Sequence, residues 1–181
     1  MVKTEIKIVN IVCSASLGQD IPLIKLAETL PNTEYNTEQF PGLVMRIREP
    51  KTSALIFSSG KIVSTGARSM AKVKESIRCI IKNIAKIKIK IKSMPKVNVQ
   101  NMVASGSIGM DLNLNSLAME LENTEYEPEQ FPGLVYKLSG TRATFLLFSN
   151  GKIVCTGTRS EAKLKEAVDK LVKNLKKLKK T

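Results

Sequence analysis

From Lys3 to Ser16 apolar and polar side chains alternate, Ile6 and Ile8 against Lys7. That two-residue period predicts one long β-strand. Within it Asn10, Val12 and Ser14 share a face, and Ile11 and Cys13 share the other. Asp20 is placed to cap a short helix opening at Ile21, with Pro22 near its first turn. Pro31 to Glu38 reads as loop, Pro41-Gly42 as a turn, and Leu43 to Arg48 as a strand. Ser53 to Phe57 and Lys61 to Thr65 flank Ser58-Ser59-Gly60 and predict a hairpin. At Ser69 the period changes. Val73, Ile77, Ile80, Ile81 and Ile84 fall at helical spacing, with Lys72, Lys74, Lys82 and Lys86 outside, so a long amphipathic helix is expected. Lys86 to Lys92 alternates Lys and Ile strictly and fits either a strand or the end of that helix.

The whole pattern then recurs. EYNTEQFPGLV at Glu34–Val44 returns as EYEPEQFPGLV at Glu125–Val135, an offset of 91. The same offset takes Asn10 to Asn101, Phe57 to Phe148, Gly60-Lys61-Ile62-Val63 to Gly151-Lys152-Ile153-Val154, and Thr65-Gly66 to Thr156-Gly157, without a gap. Roughly half of the aligned positions are identical. Internal repetition on this scale marks a duplicated supersecondary unit. It predicts two halves, 1–91 and 92–181, related by pseudo-two-fold symmetry and packed as one body with continuous sheets. The last helix is expected from about Ser160, with Leu164, Val168, Leu171, Val172, Leu175 and Leu178 inward.

Composition narrows the function. Of 181 residues, 29 are Lys or Arg and 16 are Asp or Glu, a net charge of +13. Such a balance favours a polyanionic partner: DNA, RNA or an anionic membrane surface. It also fits a protein merely kept soluble by its charge. There is no histidine, which removes the commonest general base and the commonest metal ligand. The three cysteines, Cys13, Cys79 and Cys155, form no CxxC pair, so neither a disulfide framework nor a zinc site is expected. No metal, cofactor or small-molecule substrate is implied. The N-terminus lacks an apolar leader, and no run of eighteen apolar residues occurs. An intracellular, reducing compartment fits these features.

Helices covering one sheet face leave the other free. The strand positions for that face mix small apolar groups with single amides and hydroxyls: Asn10, Val12, Leu55, Val63 and Thr65. Such a surface suits a shallow, largely apolar groove floor, although the pattern also fits a second buried face. Basic residues repeat in register: Arg46 with Lys137, Lys51 with Arg142, Lys61 with Lys152, Arg68 with Arg159. Repeated cations would line two rims matching the phosphate strands that flank a groove; each taken alone also reads as a solvated side chain. Four of the five phenylalanines form two repeated pairs, Phe40 with Phe57 and Phe131 with Phe148. Phe40 and Phe131 each precede Pro-Gly, a place that presents a ring more readily than it buries one. Ring pairs of this kind fit wedges between base steps; core aromatics at strand ends are the alternative.

RIREPKTSALIFSSGKIVSTGARS (Arg46–Ser69), EQFPGLVYKL (Glu129–Leu138) and FLLFSNGKIVCTGTRS (Phe145–Ser160) resemble the two direct repeats of the TATA-box-binding protein family. The likeness covers the chain from about Ile6 onward. It implies an α+β, saddle-shaped, pseudo-two-fold fold: a curved antiparallel sheet with helices on its convex face. The implied activity is general transcription initiation without catalysis, through the minor groove of the TATA element. By position, Phe40, Phe57, Phe131 and Phe148 correspond to intercalating rings. Asn10, Asn101, Thr65 and Thr156 correspond to central donors, and Val12, Val103, Val63, Val154, Leu55 and Leu146 to apolar groove contacts. Arg46, Lys61, Arg68, Lys137, Lys152 and Arg159 correspond to phosphate partners. Glu127 and Glu129 correspond to the contact for transcription factor B, through which RNA polymerase is engaged indirectly. The short form rich in Lys and Ile points to an archaeal type, cytoplasmic and nucleoid-associated; a eukaryotic source would make it nuclear. The LKKLKK end is basic, where many archaeal members are acidic. Two other readings stand beside this one: a nucleic-acid-processing enzyme on a similar fold, and a charge-driven RNA- or membrane-surface binder.

Overall fold

The computed structural model describes residues 4–179. Lys3 and Lys180, included in the expected first strand and basic tail, lie outside them. Two compact units emerge: residues 10–100, and residues 4–9 together with 101–179. Each is an antiparallel sheet with two helices.

In the first repeat the order is β1 (Glu5–Ser16), α1 (Leu23–Thr29), β2 (Thr33–Glu34), β3 (Leu43–Ile47), β4 (Thr52–Ile56), β5 (Lys61–Ala67) and α2 (Met70–Ala85). The second repeats it as β6 (Asn98–Ser107), α3 (Leu114–Glu120), β7 (Thr124–Glu125), β8 (Leu134–Lys137), β9 (Thr144–Leu147), β10 (Lys152–Thr158) and α4 (Glu161–Leu178). The hydrogen-bonded order is β2-β3-β4-β5-β1 in one and β7-β8-β9-β10-β6 in the other.

Side-chain alternation sorts each sheet into two faces. In the first unit Ile11, Cys13, Leu43, Met45, Ala54, Ile56 and Ile62 are buried, and α2 adds Val73, Ile77, Ile80 and Ile84. In the second, Ala104, Leu134, Tyr136, Phe145, Leu147 and Ile153 meet Leu164, Val168, Leu171 and Leu175 of α4. A fully buried Ile or Leu of this kind contributes about 1.5–3 kcal/mol relative to exposure. Both long helices start as expected: Lys72 N–H donates to Ser69 Oγ at 3.2 Å, and Lys163 N–H to Ser160 Oγ at 3.2 Å. Such a cap contributes about 1 kcal/mol.

Three details differ from the sequence-based expectations. Asp20 does not cap α1. Leu17 and Ile21 N–H donate to the carbonyls of Gly60 and Ser58, which ties this segment to the hairpin turn, and the helix opens only after Pro22 without a side-chain cap. Pro31 to Glu38 is not all loop, because Thr33–Glu34 pairs with Met45 and Val44. Two residues carry too little periodicity to betray a strand. Lys86 to Lys92 is not a strand: Lys86 to Lys88 close the end of α2 in a turn, with Ile87 N–H bonded to Ile84 O and Lys88 at a positive φ of 62°, and 89–92 is irregular. Val172 and Leu178 point inward as expected, half-buried against the second core, and Ile81 is likewise half-buried.

Candidate nucleic-acid interface

The open face of the first sheet is built row by row. Val44, Leu55, Val63 and Ser14 lie side by side across β3, β4, β5 and β1. The next row runs Arg46, Ser53 and Thr65. In the second unit the rows are Val135, Leu146, Val154, Ser105 and then Lys137, Thr144, Thr156. Each surface is apolar and half-buried within its unit, with one cation at its outer end. It is not the second buried core that the pattern also allowed.

At the end of the second row sits the most structured polar group of the face. Asn10 Nδ2 donates to Thr65 Oγ1 at 3.1 Å, and Asn10 Oδ1 accepts the Gly66 N–H at 2.7 Å. Asn101 does the same, to Thr156 Oγ1 at 2.9 Å and from Gly157 N–H at 2.7 Å. A backbone N–H can only donate, so the oxygen of each amide is fixed on the glycine side and its NH2 on the threonine side, with one N–H of the NH2 not used by the threonine. The N–H is available because of a bulge. Ile11 pairs with Ala67 but Cys13 with Ser64, so Thr65 and Gly66 together face Val12. The same shift sets Thr156 and Gly157 against Val103. The bulged glycines have φ of 103° and 98°, a region costly for other residues. Sequence reasoning found the asparagines and threonines but not the glycine amides that orient them.

Each aromatic pair is a T-shaped contact: Phe40–Phe57 with centroids 5.9 Å apart, and Phe131–Phe148 at 6.0 Å. Phe40 and Phe131 are 41% and 43% exposed, so they are presented, not buried. Their seat is glycine. A Cβ on Gly42 would stand 2.8 Å from Phe40 Cε1, and one on Gly133 2.7 Å from Phe131 Cε1. The Phe-Pro-Gly order therefore packs ring on bare backbone. The fifth phenylalanine, Phe145, is fully buried in the core.

Lys61, Arg68, Lys137, Lys152 and Arg159 are all exposed. Arg46 is exposed too but not free: its Nη1 meets Glu34 Oε2 at 3.1 Å. A groove of about 610 Å³ beside Phe148 is lined by Lys7, Asn150, Lys152 and Val154 among others; Lys7 carried no signal in the sequence. In the loop before each presented ring, residue 36 or 127 accepts two N–H groups through its carbonyl. Asn36 Oδ1 also takes the Glu38 N–H, whereas Glu127 and Glu129 stand exposed. Burial pushes the Cys13 and Cys155 thiols up to about 11, so both are protonated and unreactive near neutrality. Among the described residues no group of three or more His, Cys, Asp or Glu is placed to hold a metal, and no helix is long and apolar enough to cross a membrane.

These features define a class: a duplicated α+β protein whose sheets each offer a charge-poor face, a rim of cations and a presented ring pair. The family model described as transcription factor TFIID (or TATA-binding protein, TBP) matches residues 5–87 and again 96–178. The TATA-box-binding protein of Thermococcus kodakarensis is 48% identical over 98% of this chain and 93% of its own length. That of Methanobrevibacter smithii is 51% identical over 94% and 97%. The solved structure of Methanococcus jannaschii TBP superposes with a TM-score of 0.90, at 46% identity, covering 96% of this chain and 99% of that one. The chain belongs to the TATA-binding protein family of transcription factors, and its fold is the family's.

Proposed function

We propose that the protein binds the TATA element of promoter DNA in the minor groove and there nucleates transcription initiation. The observation that carries this reading is the Asn–Thr–Gly constellation, repeated with the same geometry on a charge-poor apolar face in both units. In the minor groove an A·T pair displays only acceptors, and G·C adds an amino donor. Amide NH2 and hydroxyl donors on a tight apolar surface accept the first and clash with the second. The rim cations Arg46, Lys61, Arg68, Lys137, Lys152 and Arg159 take phosphates, which adds affinity without sequence preference. Val12, Val63, Leu55 and their partners Val103, Val154 and Leu146 lie against the sugars and base edges.

The ring pairs Phe40/Phe57 and Phe131/Phe148 act as apolar wedges that unstack base steps and kink the duplex, a mode for which this family is itself a standard example. Flexible TA steps lower the cost of that deformation. Glu127 and Glu129 offer an acidic loop on the second unit for transcription factor B, which in turn recruits RNA polymerase. The protein acts in the cytoplasm on the nucleoid, and does so by binding without catalysis.

The test is a panel of A·T-rich and mixed duplexes, with affinity and bending read by fluorescence energy transfer. A TATA duplex bound at least about tenfold more tightly than mixed sequence, with a bend, is expected; each mismatched pair costs about 1–3 kcal/mol. Equal competition by mixed RNA would replace this reading with charge-driven binding, and cleavage or base release would replace it with an enzyme. Glu127→Arg with Glu129→Arg is expected to abolish the ternary complex with transcription factor B while leaving the DNA complex in place. An intact ternary complex would remove the loop from the partner site.

A further inference from the structure

The two rims are not electrostatically equal. Arg46 and Lys137 occupy the same position in the repeat, at the outer end of the row that leads to Thr65 or Thr156. Each has a glutamate beside it on the edge strand: Glu34 pairs with Val44, two residues before Arg46, and Glu125 with Val135, two before Lys137. Yet only the first pair closes. Arg46 Nη1 lies 3.1 Å from Glu34 Oε2, and among the described residues neither Lys137 nor Glu125 makes an ion pair. Chemistry accounts for part of the difference. A guanidinium is a planar fork that matches a carboxylate, whereas an ammonium is a compact, strongly hydrated charge with less to gain from one fixed partner.

We propose that Glu34 competes with DNA phosphate for Arg46, so that the first unit must surrender an ion pair when it closes on the duplex and the second does not. This rests on the DNA-binding reading above and adds to it an internal competitor in one unit only. Both members of the pair are 63% exposed, so the competition is a modest adjustment, not a block. With DNA absent the Arg46 charge is partly neutralised by Glu34 through Nη1; a backbone phosphate drawn to the same guanidinium meets the Glu34 carboxylate as a like charge, so the ion pair loosens as the phosphate binds. The rim of the second unit, with Lys137 and Lys152 uncommitted, is the one ready to engage first.

The experiment compares Glu34→Gln with Glu125→Gln on a TATA duplex across a salt series, with Arg46→Gln as background. Both glutamine variants remove one negative charge from equivalent positions, so any general field effect is shared. Glu34→Gln is expected to tighten binding about two- to fivefold at low salt, with the gain shrinking as salt rises, since an exposed pair of this kind is screened. Glu125→Gln is expected to do less, and Glu34→Gln in the Arg46→Gln background to do no more than Glu125→Gln. Equal effects of the two single variants overturn the proposal, as does weaker binding by Glu34→Gln, which would make Glu34 a positioning residue for Arg46. If the wild-type protein shows no preference for the TATA duplex, the DNA-binding reading itself falls and takes this one with it.

Discussion

The two units present nearly the same face on differently built cores. Facing the open side, the amide lock, the bulge, the ring pair and the glycine seat are repeated almost to the tenth of an ångström. Beneath them the solutions diverge. The first core buries a polar pair, Thr52 Oγ1 and Ser76 Oγ 2.7 Å apart, where the second has Ala143 and Ala167. The second puts Phe145 and Tyr136 where the first has Ala54 and Met45, and satisfies the Tyr136 hydroxyl with Asn174 Nδ2 at 3.2 Å. A core tolerates such exchange provided volume and hydrogen bonding are conserved. The open face shows no such exchange: its hydrogen bonds and ring contacts keep one geometry in both units. The difference separates the features that vary with packing from those held constant between the units.

That division can be broken from either side. The largest effect is expected at the rings. Phe131→Ala should weaken TATA binding at least about tenfold, the scale of losing a wedge that offsets unstacking, and reduce bending with little change in melting temperature. Phe40→Ala should do the same at the other ring pair. Unchanged bending in gel phasing would return both rings to a structural role. Next comes the amide lock. Asn101→Asp keeps an oxygen for the Gly157 N–H but replaces the NH2 donor with a charge, so TATA affinity should fall by about 1–3 kcal/mol with the fold retained. Full affinity by titration would dismiss Asn101 as a base donor.

Smaller effects belong to the cores. Ser76→Ala takes from Thr52 its short buried hydrogen bond and leaves only the 3.3 Å contact with the Pro50 carbonyl. A loss of about 1–2 kcal/mol is expected, read by denaturant unfolding, without a change in DNA preference. The smallest change is expected from Thr158→Ala. The Thr158 hydroxyl is buried without a partner, and the first unit has Ala67 there. Removing it should raise the melting temperature by about 2–4 °C, the equivalent of about 1 kcal/mol in a protein of this size. A lowered melting temperature would show that this hydroxyl is satisfied after all.

Much of this was legible in the chain before folding. The alternation of β1, the helical stripe from Val73 to Ile84 and the helix starts near Ser69 and Ser160 are local, and local patterns survive into the fold. The tandem repeat made the candidate site legible too, since Phe40, Asn10 and Thr65 were singled out by reappearing in register. What escaped detection was set by contacts between distant residues. Asp20 looked like a cap until the Ser58 carbonyl claimed the neighbouring Ile21 N–H. Glu34 and Arg46 gave no hint that they would meet across β2 and β3 while Glu125 and Lys137 would not.

By itself, then, the sequence determined a duplicated α+β unit, its core stripes, and the repeated residues that form the candidate site. Periodicity and repetition are properties of a linear chain and need no partner in space. Only the tertiary structure decided which way the atoms of those residues point. The orientation of the Asn10 and Asn101 amides depends on a bulge 55 residues away, and the seat of each ring depends on the absence of one Cβ. Such directions are fixed by backbone N–H groups and close packing brought together from distant parts of the chain, and no one-dimensional pattern contains them.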